Sequence, residues 1–153
     1  MIQRIQSLYL LLSGALMFAM YNFSLATYFN SEGVWEFYAE GIKTVNGNTV
    51  ISISTWPVAI IIALSGLISF ITIFGFKNRK RQAKGCVLSG MFMLLFYPVA
   101  LIYWWYGKET LAATSTSWGP VLVFPLMAFI LNIMAVRSIN GDERLVRSAD
   151  RIR

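Results

Sequence analysis

Four stretches of this chain run without a single charged side chain. They hold 27 residues between Arg4 and Glu32, 33 between Lys43 and Lys77, 23 between Lys84 and Lys108, and 27 between Glu109 and Arg137. A helix crossing the roughly 30 Å hydrocarbon core of a bilayer needs about 20 apolar residues, because it rises about 1.5 Å per residue. Each stretch is long enough. Spans are expected over residues 5–25, 56–76, 86–106 and 118–139. Hydrophobic residues make up 57% of the chain and charged residues 13%, about half the charged share of an ordinary soluble domain. The expected fold is an all-α, four-transmembrane-helix bundle, one membrane domain over residues 1–153. The first span is too long for the apolar region of a secretory leader and is preceded only by Arg4, so it is read as a span.

The basic residues give an orientation. Arg4, the stretch Lys77, Arg79, Lys80, Arg81 and Lys84, and the tail Arg137, Arg144, Arg147, Arg151 and Arg153 all fall on one side of such a threading. Only Lys43 and Lys108 fall on the other. Loops rich in Lys and Arg stay in the cytoplasm, so both termini, the loop 77–85 and the tail 140–153 are expected there. The five tryptophans, Trp35, Trp56, Trp104, Trp105 and Trp118, all fall toward the opposite side, where amphipathic rings suit the headgroup zone.

The outer loop 26–55 divides in two. Its first half, "SEGVWEFYAEG", spaces Glu32, Glu36 and Glu40 four apart, which would make an acidic, solvated face on a helix. Its second half, "GIKTVNGNTVISIST", reads as a β-hairpin. Asn46-Gly47 suits a two-residue turn, and Ile51 and Ile53 alternate with Ser52 and Ser54. A lone two-stranded hairpin is marginally stable, so it needs support from the membrane, the other outer loop or another protein. That other loop, "GKETLAATSTS", reads as a short connection, and Ser117 with Pro120 as the opening of the fourth span.

Chemistry is scarce. The chain has no histidine and one cysteine, Cys86, which excludes an intrachain disulfide, a CxxC redox pair and His-based haem or zinc sites. Apart from Arg137 near the inner end of the fourth span, no charged residue lies within the four spans, whereas pumps and most transporters keep one deep in the bilayer. The expectation is no enzyme, no cofactor and no metal. The polar residues of the spans are mild. Ser65, Ser69 and Thr72 recur along one face of the second span as a helix-packing seam, and Asn132 is expected to hydrogen-bond a neighbouring helix. Pro98 and Pro125 are expected to kink the third and fourth spans.

The cytoplasmic side carries the candidate contacts: Arg4, Lys77, Arg79, Lys80, Arg81, Arg144, Arg147, Asp150 and Arg151. Asn140 and Glu143 have the spacing of a capping box, so a short amphipathic helix is expected to start after Ile139. Leu145, Ala149 and Ile152 would share one of its faces, and Arg144, Arg147 and Arg151 another. Asp142, Glu143 and Asp150 interrupt the positive charge, which argues against nucleic acid and for anionic lipids of the inner leaflet.

The start "MIQRIQSLYLLL", the inner loop "FKNRKRQ" and the end "DERLVRSADRIR" resemble an uncharacterised family of small four-span membrane proteins of the Bacteroidota, a domain of unknown function. The resemblance runs from Met1 to Arg153. It implies a Gram-negative inner membrane and a periplasmic hairpin, and no catalytic residues. It points to Gln3, Arg4 and Gln6 with Arg147, Asp150 and Arg151 at one membrane face, where Arg4 would pair with Asp150. The leading expectation is a non-enzymatic accessory or assembly subunit of an envelope complex, with a membrane-protein partner or a second copy. The alternative is a small-molecule transporter or lipid-handling protein acting as an oligomer.

Overall fold

The computed structural model describes residues 3–31, 33–44 and 51–150. Four helices dominate: α1 (Gln3–Ala19), α2 (Trp56–Ile73), α3 (Arg79–Thr110) and α4 (Phe124–Asp150). All four are long and apolar enough to cross a membrane. Each packs against two neighbours, α1 on α2 and α4, and α3 on α2 and α4. The rest of the fold is a five-stranded antiparallel sheet of β1 (Ala26–Asn30), β2 (Gly33–Phe37), β3 (Gly41–Thr44), β4 (Ile51–Ser54) and β5 (Ser115–Trp118), in the order β4-β3-β2-β1-β5.

The sheet draws on both connections at one end of the helices. β3 and β4 form the expected hairpin, with Ile42 opposite Ile53. The Asn46-Gly47 turn lies outside the described residues. The support the hairpin needed comes from β1, β2 and β5. The acidic stretch is therefore a strand, not a helix. Val34, Trp35 and Phe37 favour the pleated surface, and β2 puts Glu36 directly opposite Lys43 of β3, a favourable cross-strand pair. Glu32 lies outside the described residues. Residues 115–118 are not a loop leading into a helix but β5, with Thr116 opposite Tyr28 and Ser117 opposite Thr27 of β1.

One face of the sheet closes on the helix ends. Ala26, Tyr28, Phe37 and Ile42 are buried, in one cluster with Val58, Ile62, Met93, Phe96 and Ala100 of the helices. Thr55 fastens the corner where β4 becomes α2, its hydroxyl donating to the carbonyls of Tyr38 and Ala39 at 3.1 and 3.0 Å.

Three helix boundaries differ from the expectation. The first helix ends at Ala19, because the chain must turn through a 3-10 segment (Met20–Asn22) to begin β1. The expected loop 77–85 is mostly helix: a 3-10 turn (Phe74–Lys77) and Asn78 lead directly into α3, so Arg79, Lys80, Arg81 and Lys84 lie on its first turns. The tail does not start a new helix after Ile139. α4 runs unbroken to Asp150, about 40 Å at 1.5 Å per residue. Gly141 alone is too weak a breaker to divide a stretch of good helix formers, at about 1 kcal/mol.

The prolines also separate. Pro98 is inside α3, but Pro125 is in the first turn of α4, where its missing N–H has no intrahelical partner to lose. It is not a kink. Ser117 does not cap α4; Gly119 precedes a 3-10 turn (Pro120–Val123) that leads into the helix.

Candidate functional site: a basic groove, a polar seam and an outer sheet

The α2–α3 turn lies at the end of the helices away from the sheet. α2 closes with Ile68, Ile71 and Thr72, and the 3-10 turn carries Phe74 and Gly75 around the corner. Asn78 then starts α3, its side-chain oxygen accepting from the Arg81 N–H at 3.3 Å. The two helices approach closely here. A Cβ at Gly85 would collide with Thr72 Oγ1, so only glycine fits. Thr72 turns its hydroxyl back to Ile68 O at 2.6 Å.

These residues surround an open groove of about 490 Å³. Ile71 and Phe74 are 68% and 77% exposed on its apolar side, and Gln82 is 4% exposed on its polar side with Arg81 and Asn78 nearby. The groove therefore pairs a guanidinium and amides with an open hydrocarbon wall. Arg79, in the same first turn of α3, has its Nη1 atom buried with no acceptor among the described residues. Nothing here provides a nucleophile with a base. No group of three metal-ligating side chains occurs among the described residues.

The other expected contacts divide. Arg79 is half-buried, and Lys80 and Arg81 are exposed. Lys77, Arg144, Arg147 and Asp150 lie on described backbone and Arg4 on α1, but their side chains lie outside the described residues, as does the Arg4–Asp150 pair; Arg151 lies outside altogether.

Inside the helices, Ser65 and Ser69 are buried against α3. Ser69 Oγ is 2.6 Å from Ser89 Oγ, and Ser89 Oγ also donates to Ser65 O at 3.1 Å. Asn132 Nδ2 donates to Cys86 O at 2.9 Å, while its Oδ1 has no partner among the described residues. Between α1 and α4, Ser13 Oγ donates to Ala128 O at 3.1 Å. Sequence reasoning missed Ser13, Gln82 and Ser89. The small residues Gly85 and Ser89, one turn apart on α3, were the available signal for the face that receives the serine seam.

At the sheet end, β1 is the strand on which the rest is assembled. Gly119 N–H donates to Leu25 O at 2.8 Å. With the β1–β5 register, the alternation of an antiparallel ladder turns the backbone groups of Thr116 and Trp118 away from β1, along the free edge. Trp118 stacks on Trp104 of α3 with ring centroids 4.5 Å apart, which ties β5 to the helix beside it.

The first and last helices, α1 and α4, both belong to this architecture, and a family model described as a domain of unknown function, DUF4293, matches residues 2–152. The chain belongs to that family. No curated protein matches it. The match takes in all but the first and last residue of the two terminal motifs, and the family brings no assigned activity, so roles for this DUF4293 chain come from its own residues.

Proposed function

We propose that this DUF4293 protein is a non-enzymatic, multi-pass protein of a Gram-negative inner membrane, with both termini in the cytoplasm. It serves as an accessory or assembly subunit of an envelope complex. The observation that carries this reading is the sheet, assembled from two separate connections and fastened to the helix ends. It offers Glu36, Lys43 and the free edge of β5 to a partner, while the stretches 5–31, 44–76, 85–107 and 110–136, which supply the apolar lengths of the helices, carry no charged side chain. Such a chain displays a folded surface beside a membrane and has no charge relay through it. The basic start of α3 supports the orientation, with the sheet in the periplasm.

Extraction of the tagged protein in a mild detergent, followed by native mass measurement, tests this. A protein partner in fixed stoichiometry, lost on Thr116→Pro, is the expected result. Proline there blocks the outward-facing edge without removing a bond to β1. A partner kept by Thr116→Pro and lost on changing Arg144 and Arg147 moves the contact to the cytoplasmic side. Recovery of the chain alone overturns the accessory reading. The groove beside Arg81 favours a second reading, a lipid-handling protein.

A further inference from the structure

We propose that the groove between the end of α2 and the start of α3 is a binding site for one anionic glycerophospholipid of the inner leaflet. Its phosphate sits against Arg81, Asn78 and Gln82, and an acyl chain lies along Ile68 and Ile71. This rests on the membrane-spanning orientation proposed above and not on the accessory role.

Three features of the groove select this occupant. Its walls are divided by chemistry: one is guanidinium and amide, the other is exposed hydrocarbon continuing down α2. A headgroup joined to an acyl chain matches both, whereas a free anion leaves Ile71 and Phe74 bare. The charge is one-signed, since Arg81 is the charged residue of the lining and the sequence has no acidic residue between Glu40 and Glu109. The volume of about 490 Å³ falls within the range of small-ligand sites, roughly 300–1,000 Å³. That is room for a headgroup and the first part of a chain.

The test uses the full chain in phosphatidylcholine nanodiscs with increasing phosphatidylglycerol, and counts retained lipid by native mass spectrometry. The expected result is one phosphatidylglycerol kept per chain in preference to phosphatidylcholine. Retention should fall about tenfold in Arg81→Gln, the loss of one hydrogen bond to a charged phosphate held in the groove. Lys80→Gln removes the same charge from an exposed position outside the groove and should leave retention unchanged. Ile71→Trp fills the apolar side without altering charge and should also release the lipid, so the proposal stays testable if Arg81→Gln proves unstable. Equal retention of the two lipids, or equal loss in Lys80→Gln and Arg81→Gln, overturns it in favour of diffuse surface charge. Displacement by inorganic phosphate overturns it in favour of a free-anion site. Failure to enter nanodiscs at all contradicts the membrane reading instead.

Discussion

Tyr28 on β1 donates its phenolic hydrogen to the carbonyl oxygen of Trp104 on α3, at 3.2 Å. The ring is fully buried, so this contact joins an interior strand to the helix beneath it. Tyr28→Phe keeps the ring and loses the bond, at about 1 kcal/mol. Tyr28→Ala empties the space and should cost about 3–5 kcal/mol. Thermal unfolding in detergent checks both, and a smaller loss for alanine than for phenylalanine would contradict the packing.

The same phenol gives a pH dependence. Burial pushes the Tyr28 hydroxyl above its ordinary value of 10.0. A folded-state value above the unfolded one favours the protonated fold. Its stabilisation is complete below about pH 10 and is lost as pH rises beyond it. Stability should therefore fall above pH 10, and less steeply in Tyr28→Phe. Parallel alkaline slopes in the two proteins would rule Tyr28 out as the cause.

Gly107 marks how closely α3 passes under the sheet. A Cβ there would meet Ile42 Cδ1 at 2.6 Å and the Tyr28 hydroxyl at 3.0 Å. Gly107→Ala should destabilise by about 1–3 kcal/mol, the range for overfilling a packed site. Gly141 is the internal contrast, because nothing among the described residues lies within 4 Å of a Cβ placed there. In an unbroken α4, Gly141→Ala should add up to about 1 kcal/mol. No gain would restore the helix break after Ile139.

Ser69 and Ser89 should be energetically coupled across α2 and α3. Single alanine changes and the double change form a cycle, and a coupling of about 0.6 kcal/mol is expected for a hydrogen bond in such a setting. Additive losses would show that the 2.6 Å contact contributes packing only.

These residues also show what the sequence could reveal. The charge-free stretches announced the helices because helix length and bilayer thickness set the same requirement. The β3–β4 hairpin was legible from Asn46-Gly47 and the alternating isoleucines. β1 was hidden because "LATYFN" continues the apolar run of the first helix, so no change in polarity marks where helix becomes strand. β5 was hidden for the opposite reason. "STSW" has no apolar alternation, and it forms a strand because β1 offers it a hydrogen-bonding edge. At the candidate site, Arg81 was visible as charge, but the groove depends on Gly85 meeting Thr72 and on the burial of Gln82, which are facts of packing. The spacing of Ser65, Ser69 and Thr72 showed a seam without showing that Ser89 would face it.

The central claim is the placement of the sheet outside and the basic α2–α3 turn inside, and cysteine labelling tests it most directly. The only cysteine, Cys86, is 1% exposed, so the natural chain is a quiet background. Ser115→Cys places a thiol on β5, and Lys80→Cys places one at the start of α3. With a membrane-impermeant maleimide applied to spheroplasts, Ser115→Cys should label at once and Lys80→Cys only after the inner membrane is opened. The reverse pattern, or equal labelling of both from outside, would contradict the account.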